Sequence, residues 1–414
     1  MRTDIGRDNV SICGARRSRA HAPNLWWLTG LLLSELWLGS QTLTVPNSTA
    51  NPPPTQDNRS FAYYHDVVPE VPWSIHVVKV KRSHPDLEFS TTLGKGQVLG
   101  MGTVSEQLKT LSPGLGRPLA AINGDFFVKN NGYPGRPRDL QIRQGEVLSS
   151  PSGHACFWID AAGAPHTTNV YSQFRIIWAD GTTMPIGLNE DRREDSAVLY
   201  TSVVGSSTHT DGGRELILEA GTTNAWLPLR IGRTCVARVR AVRDSGDNPL
   251  GRTTLVLSIG PQLIPRLPGV EPGTTLKIIT ETVPDLMGAD TAIGGGPMLV
   301  QNGKPMQWGG LTQLWHPRSA MGQLRHPRTA LGWNKDYIFL VEVDGRQRNL
   351  SVGMTFQELA DYLIKLGCEE AMNFDGGGSA TLWFKGSVRN SPSERRERPS
   401  ANALVVVEKT PQPH

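Results

Sequence analysis

Short apolar runs separated by turn residues fill the chain from about residue 140 to residue 285. Such runs are typical of strands when Gly, Pro, Asn and Asp lie between them. Strand follows strand here, without the helices that a doubly wound fold needs. The pattern predicts a hairpin over 141–148 and strands at 174–178, 197–201, 215–218, 235–239, 254–258 and 275–279.

The flanking regions add more strands and two short helices. Thr355 and Glu358 have the spacing of a capping box, and apolar residues continue at helical spacing to about Leu366. A shorter helix is predicted to begin near Ser105. Further strands are predicted at 77–80, 119–122, 298–300, 330–333, 337–341, 371–374, 380–384 and 403–407. We therefore expect an α+β fold with a mixed, strand-rich sheet core, a few helices and a site on loops at strand ends.

The N-terminal 60 residues differ from the rest of the chain. A basic segment, Arg16–Arg19, precedes an apolar run from Leu25 to Leu38. This is the form of a secretory signal, and the run is shorter than the roughly 20 residues of a bilayer-spanning helix. The prediction is a signal peptide or membrane anchor at 1–40, a Pro/Asn/Thr-rich linker at 41–60 and one domain at 61–410, with 165–285 as its β-rich part. We expect an exported protein, either periplasmic, extracellular or anchored by an uncleaved N-terminal segment.

Charge and cysteine content exclude some classes of protein. The formal net charge of the 414 residues is +4, and five Arg against two Asp in residues 1–22 account for +3 of it. The remainder is close to neutral, which argues against nucleic-acid binding. The four cysteines are Cys13, Cys156, Cys235 and Cys368. Their spacing does not match a zinc site, and one disulfide among the last three is compatible with the sequence. No organic cofactor is expected, and a divalent metal at Asp125 or Asp375 is compatible with the sequence but not indicated.

The candidate site is organised around residues 373–379, Asn-Phe-Asp-Gly-Gly-Gly-Ser. Three consecutive glycines between two strands pack poorly and cost backbone entropy. They let the backbone approach a ligand closely, and exposed N–H groups on such a loop suit an anion. Asp375 precedes the glycines and Ser379 follows them. The spacing fits neither a G-x-S-x-G elbow nor a P-loop.

Polar residues lie at the ends of several other predicted strands, where loops commonly carry binding groups. They are Asn123, Asp125, His326, Arg328, Arg398 and Asn402. The segment 316–322, His-Pro-Arg-Ser-Ala-Met-Gly, recurs at 326–332 as His-Pro-Arg-Thr-Ala-Leu-Gly. Only the second copy continues into strands, so the first is interpreted as an insertion loop.

Two carboxylates and one cationic pair suggest a chemistry. Asp375 and Asp125 could form an acid/base or nucleophile pair, whose separation would decide between retention and inversion at a sugar carbon. A turn or cap role explains Asp125 equally well. His326 and Arg328 could bind a phosphate, because Arg makes bidentate contacts with it. The second triple glycine, 294–296, is explained equally well as a tight turn.

These motifs together resemble the phosphodiester glycosidase family. The matching segments are 121–127, 294–297, 326–332, 343–346, 353–355, 373–379 and 398–403. Members of that family hydrolyse the bond from a sugar's anomeric carbon to a phosphodiester. The resemblance implies an exported glycosidase acting on a sugar-1-phosphodiester in a glycan or cell-envelope polymer. The alternatives are a non-catalytic polysaccharide-binding or assembly protein on the same scaffold, and a phosphodiesterase that cleaves P–O.

The resemblance and the strand-end pattern together assign the site residues. Expected in catalysis are Asp375, Asp125, His326 and Arg328. Expected in substrate binding are Asn123, Thr329, Asn373, Gly376, Gly377, Gly378, Ser379, Gly295, Gly296, Arg398 and Asn402. In this interpretation the phosphate lies against the amides of Gly376–Gly378, and a carboxylate acts at the sugar carbon. The expected partner is a sugar-phosphate glycan substrate, with membrane contact only through an uncleaved N-terminal segment, and the sequence leaves the oligomeric state open.

Overall fold

Strands account for most of the regular structure in this computed structural model, which describes residues 59–130, 132–222, 226–307 and 322–409. The strands before residue 160 are β1 (Phe61–Val68), β2 (Trp73–Lys81), β3 (Leu87–Thr91), β4 (Arg117–Asn123), β5 (Gln141–Arg143), β6 (Glu146–Ser149) and β7 (Ser152–Ile159). Those from 160 to 285 are β8 (Pro165–Ser172), β9 (Arg175–Ile177), β10 (Thr183–Pro185), β11 (Gly187–Leu188), β12 (Ala197–Tyr200), β13 (Arg214–Ala220), β14 (Thr234–Arg243), β15 (Leu255–Ile259), β16 (Thr275–Ile279) and β17 (Thr282–Val283).

The remaining strands and the helices complete the described regular structure. The strands are β18 (Thr291–Gly294), β19 (Met298–Gln301), β20 (Lys304–Pro305), β21 (Arg328–Trp333), β22 (Tyr337–Val343), β23 (Glu370–Asn373), β24 (Leu382–Phe384), β25 (Ser387–Val388) and β26 (Ala403–Glu408). The α-helices of the described residues are α1 (Val104–Lys109) and α2 (Phe356–Lys365). Short 3-10 turns lie at Pro113–Leu115, Ser202–Val204, Ile264–Arg266 and Gly377–Ser379.

The strands form four sheets. A seven-stranded sheet has the order β1-β2-β22-β21-β23-β19-β20, and a five-stranded sheet has the order β25-β24-β4-β26-β3. A six-stranded sheet runs β17-β8-β7-β18-β5-β6, and an eight-stranded sheet runs β10-β9-β16-β14-β13-β15-β12-β11. Strand pairs in the described residues are antiparallel except β11 with β12. The predicted site residues thus come from different sheets, with Arg328 and Asn373 in the seven-stranded sheet and Asn123 in the five-stranded sheet.

The seven-stranded sheet has two buried faces. Ala330 and Val341 face α2, where they pack in one cluster with Leu363. Leu331 and Leu340 face the opposite way and pack with apolar residues of the five-stranded sheet, including Ile122. Alternate residues of a strand point to opposite faces. Each residue of β21 and β22 is therefore committed either to the helix side or to the side of the five-stranded sheet.

The helix and the hairpin that local sequence signals predicted are present in the structure. Thr355 caps α2, and Thr355 and Glu358 form the reciprocal capping box. Gln144 and Gly145 both have positive φ, as a two-residue turn between β5 and β6 requires. Helix α1 begins one residue earlier than expected, because Thr103 rather than a later residue forms its capping box with Glu106.

The strand-rich core with few helices is confirmed, since strands make up 43% and helices 9% of the structure. Mostly β describes it better than α+β. No helix in the described ranges is long and apolar enough to cross a bilayer. The predicted leader, most of the linker and the first His-Pro-Arg copy, apart from Gly322, lie outside the described residues. The domain boundaries stay predictions.

Candidate active site

The glycine loop, residues 375–379, lies directly against the second His-Pro-Arg segment. The amide of Gly377 donates to the carbonyl of Pro327 at 2.9 Å, and the amide of Phe374 donates to the carbonyl of Thr329 at 2.8 Å. A Cβ added to Gly376 would lie 2.6 Å from the Pro327 oxygen. Glycine is therefore required here for close backbone approach. Two segments about fifty residues apart therefore meet at the same end of the neighbouring strands β21 and β23 of the seven-stranded sheet.

Asp375 presents a partly exposed carboxyl beside this loop. Its Oδ2 accepts a hydrogen bond of 2.6 Å from Ser379 Oγ, and its side chain is 16% exposed. Ser379 Oγ in turn accepts from Arg398 Nη2 at 2.5 Å and Nε at 3.1 Å. Burial raises the pKa of Asp375, while Ser379 and Arg398 oppose the increase. A carboxyl whose pKa is closer to neutrality is suited to proton transfer.

Two guanidinium groups approach successive glycines of the loop. A Cβ on Gly377 would lie 3.0 Å from Arg346 Nη2, and one on Gly378 would lie 2.8 Å from Arg398 Nη1. The carboxylate of Glu394, which pairs with Arg398 Nη1 at 3.3 Å, lies closer still to Gly378. Gly377 also has a φ of 62°, which disfavours other residues. The glycines therefore give both arginines access to the loop surface. Arg346 was not among the predicted site residues, although it belongs to the Val-Asp-Gly-Arg motif.

His326 lies next to Arg346. Its Nδ1 is 3.4 Å from both Nε and Nη2 of Arg346, so Nδ1 is the accepting nitrogen. Burial lowers the pKa of His326, and the charges of Arg328 and Arg346 lower it further. A neutral imidazole that accepts at Nδ1 carries its proton on Nε2 and can donate it to a ligand.

The described contacts of Arg328 lie on the helix side of the sheet, and its catalytic role stays a prediction. Arg328 begins β21, and its Nε donates to the Met354 carbonyl at 2.8 Å. Its guanidinium carbon lies 4.4 Å from the centre of the Phe356 ring, at the start of α2. The next residue, Thr329, points to the opposite face. Strand alternation therefore places Arg328 on the helix side of the sheet.

Asn123 and Thr329 join the sheets beneath the site. Asn123 Oδ1 accepts from Thr329 Oγ1 at 2.7 Å and from the amide of Thr381 at 3.0 Å. Asn123 Nδ2 donates to the carbonyl of Asp375 at 2.6 Å. Asn123 and Thr329 are buried. They position the glycine loop rather than present groups to a ligand.

Asp125 is buried behind the loop, beside a second carboxyl that sequence reasoning missed. Asp125 Oδ2 accepts from the amide of Asp139 at 2.7 Å, and Asn402 Oδ1 accepts from the amide of Asp125 at 2.9 Å. Burial raises the pKa of Asp125 well above its usual range, and the charges of Asp139 and Asp375 add to the increase. Asp139 Oδ2 accepts from Ser152 Oγ at 2.7 Å and contacts His154 Nδ1 at 2.8 Å. No sequence motif marked Asp139.

The second triple glycine is used for close packing. The amide of Gly295 donates to the Ala155 carbonyl at 2.9 Å, and the amide of Gly296 donates to the Asn373 carbonyl at 2.7 Å. Asn373 Nδ2 returns a bond of 2.9 Å to the Gly296 carbonyl. These amides are already engaged within the protein. Of the two interpretations of this segment, the structure favours the tight turn.

A group with metal-ligand geometry lies on the buried face of β2 and β22. One ligand atom from each of His76, Glu342 and Asp344 lies within 4.8 Å of the others. The three residues are buried. Sequence spacing did not indicate a metal here, because more than 260 residues of chain separate His76 from Glu342 and Asp344.

Comparison with known proteins gives a family match for the C-terminal part of the chain. Residues 235–407 match a family model described as phosphodiester glycosidase. The family resemblance is confirmed. The matched region contains the glycine loop, the second His-Pro-Arg segment, Arg346 and Arg398, whereas Asp125 lies before it. The match covers 173 of the 414 residues of the chain.

Individual relatives are distant. The SPbeta prophage-derived uncharacterized protein YomE of Bacillus subtilis (strain 168) is 29% identical over 124 residues, which cover 29% of this chain and 18% of that protein. A hypothetical protein from Synechocystis aligns with a TM-score of 0.65 and 20% identity, covering 84% of this chain and 61% of its own. A protein of Burkholderia pseudomallei K96243, described as exported, aligns with a TM-score of 0.62 and 22% identity, covering 81% and 74%. The two solved structures show a shared fold.

Proposed function

We propose that this protein is an exported glycosidase that hydrolyses the anomeric C–O bond of a sugar-1-phosphodiester in a glycan or cell-envelope polymer. The observation that carries the proposal is that Asp375, a carboxyl with a raised pKa 3.5 Å from Arg398, precedes a glycine loop that the guanidinium groups of Arg398 and Arg346 approach. The family match over residues 235–407 supports the reaction class.

The phosphodiester would bind at Arg346 and Arg398. A phosphodiester carries one negative charge, and guanidinium groups match phosphate geometry in a bidentate manner. Because Arg346 and Arg398 approach neighbouring glycines, a phosphate bound there would lie near both guanidinium groups and would compete with the Glu394 carboxylate for Arg398. Neutral His326 can donate its Nε2 proton to a third oxygen. These groups replace Arg328, whose guanidinium is engaged on the helix side.

Asp375 would act at the sugar carbon. The departing phosphate monoester is a weak base, with a second pKa of about 6, so it needs little help from an acid. We assign Asp375 as the base that takes a proton from the attacking water. The water oxygen then joins the anomeric carbon, and the bridging oxygen leaves with the phosphate. Ser379 and Arg398 orient the carboxylate through their hydrogen bonds.

A turnover assay on a panel of sugar-1-phosphodiesters in oxygen-18 water tests the reaction. The expected products are a reducing sugar that carries the label and an unlabelled phosphate monoester. Label on the phosphate would instead establish P–O cleavage. Saturable binding without turnover across the panel would establish a carbohydrate-binding protein.

Matched variants test the assigned residues. Asp375→Asn should lower kcat by about 10²- to 10⁴-fold, the usual contribution of a general base. Arg346→Ala should mainly raise KM, because it removes a phosphate contact. The controls are Asp361→Asn on α2 and Arg348→Ala, both exposed side chains. Equal losses in variant and control, or a loss of Tm that accounts for the loss of activity, would refute these roles.

A further inference from the structure

His76, Glu342 and Asp344 form a buried polar group between the seven-stranded and five-stranded sheets. His76 and Glu342 are direct partners in the pairing of β2 with β22. Asp344 lies two residues beyond Glu342 and therefore on the same face. The same face continues into the apolar cluster of Val78 and Leu340. Two acidic side chains in such surroundings need compensation.

Glu342 lacks that compensation among the described residues. It is 0% exposed, and neither carboxylate oxygen has a hydrogen-bond partner there. The nearby Asn390 accepts from the amide of Leu382 through Oδ1 at 2.8 Å and donates to the carbonyl of Ala380 through Nδ2 at 3.2 Å. The second Nδ2 proton of Asn390 is the protein donor that interacts with Glu342. A protonated carboxyl would still leave a donor and an acceptor unsatisfied.

Glu215 shows how the same chain satisfies a buried glutamate. Glu215 is also 0% exposed. Its Oε1 accepts from Thr210 Oγ1 at 2.6 Å, and its Oε2 accepts from Thr208 Oγ1 at 3.1 Å. Asn248 donates to Oε2 from both its amide and its Nδ2, at 3.2 and 2.8 Å. Glu342 is therefore much less well satisfied by protein donors than Glu215.

The surroundings of His76 and Asp344 are those of oriented metal ligands. His76 Nδ1 is 2.8 Å from the Tyr63 hydroxyl, which can accept a hydrogen bond from Nδ1–H. The other ring nitrogen, Nε2, then faces Asp344 Oδ2 at 3.1 Å with its lone pair free to coordinate an ion. Asp344 Oδ2 accepts from Ser74 Oγ at 2.9 Å, and its Oδ1 accepts from the amide of Ser391 at 2.7 Å. Such outer hydrogen bonds fix the ligand orientation.

We propose that His76, Glu342 and Asp344 bind a divalent ion of the zinc or manganese class. One imidazole nitrogen with two carboxylates suits these metals, whereas calcium and magnesium prefer oxygen ligands alone. The charge of the ion balances the two carboxylates. The site is structural, because it fixes the strand end that leads through Gly345 to Arg346. The proposal concerns binding and holds whether or not the protein is a glycosidase.

Metal stoichiometry tests the site. The untagged full chain is refolded without metal and then with Zn²⁺, Mn²⁺, Ca²⁺ or Mg²⁺, because buried ligands load most readily during folding. Elemental analysis after dialysis should find about one Zn²⁺ or Mn²⁺ per chain, and saturation should raise Tm by roughly 5 °C. Glu342→Gln should abolish this binding. Glu215→Gln, the matched buried control, should retain it.

Several outcomes would overturn the proposal. They are the absence of bound ion in the wild type, equal binding in Glu342→Gln, and binding of Ca²⁺ or Mg²⁺ alone. If Glu342→Gln does not fold, the wild type decides the question. Pulsed electron paramagnetic resonance of the Mn²⁺-loaded protein should then show coupling to one imidazole nitrogen, and absence of that coupling contradicts the assignment of His76.

Discussion

Replacing Ser379 with Ala isolates the electrostatic control of Asp375. The substitution removes the 2.6 Å hydrogen bond to Asp375 Oδ2 and the oxygen on which Arg398 converges. A hydrogen bond to a charged group contributes about 1.5–3 kcal/mol. Arg398 Nη2 is already 3.5 Å from Asp375 Oδ2 and can move closer, so the lower end of this range applies.

The expected result is a shift of the pH–rate profile. At 1.36 kcal/mol per pH unit, the acidic limb of kcat should move up by about one unit, because the base stays protonated to higher pH. Ser379→Thr should keep most of the wild-type profile, since it retains a hydroxyl. Ser387→Ala, at an exposed strand position, is the matched control. A profile that falls in amplitude without moving its acidic limb would refute the role of Ser379.

Stability should respond to the same change with a defined sign. The folded-state pKa of Asp375 lies above its ordinary value, so its contribution to stability is complete below the unfolded-state pKa and is lost as pH rises through the folded-state pKa. Ser379→Ala raises the folded-state pKa further. Urea unfolding should therefore show a larger loss of stability at neutral pH than in acid, and equal losses at both would contradict the assignment.

Three further predictions concern the surroundings of the site. Gly377→Ala should cost about 1–2 kcal/mol in urea unfolding because of its positive φ, and should raise KM by displacing the adjacent guanidinium; wild-type stability would contradict this. Asn123→Ala should lower the free energy of unfolding by about 2–4 kcal/mol, because it removes three hydrogen bonds where the two sheets meet. A Tm within 1–2 °C of wild type would refute that role. The cysteines of the described residues are unpaired and buried, so they should react with a thiol reagent only after denaturation; they are Cys156, Cys235 and Cys368.

The elements of this fold were easier to predict than the direction of its side chains. Capping residues and turn glycines act locally, which is why α2 and the β5–β6 hairpin could be recognised from sequence. In β21 the residues alternate between two buried faces, so the sequence Thr-Ala-Leu-Gly shows no polar side. Because polar and apolar residues do not alternate along β21, the sequence does not reveal which face of the sheet a given side chain joins. This is why Arg328 was expected to face Asp375.

Long-range strand pairing explains what else the sequence concealed. The predicted strand at 77–80 extends in the structure from Trp73 to Lys81, and only Lys81 is exposed. His76 lies just before the predicted strand, whereas in the structure it is part of β2 and belongs to a buried polar group. Its partner on β22 lies more than 260 residues away, and pairing between β2 and β22 is decided by packing of the whole sheet rather than by any local pattern.

The glycine loop has a different physical role in the structure from the one that the sequence suggested. From the sequence, the glycines were expected to offer free amides to an anion. In the structure, the Gly377 amide is bonded to Pro327, and the Gly376 amide favours the ionised form of Asp375. The missing side chains matter more than the amides, because they admit the guanidinium groups of Arg346 and Arg398 to the loop surface. Positive charge supplied by side chains, beside a carboxyl that burial holds closer to neutrality, is the feature on which the proposed reaction depends.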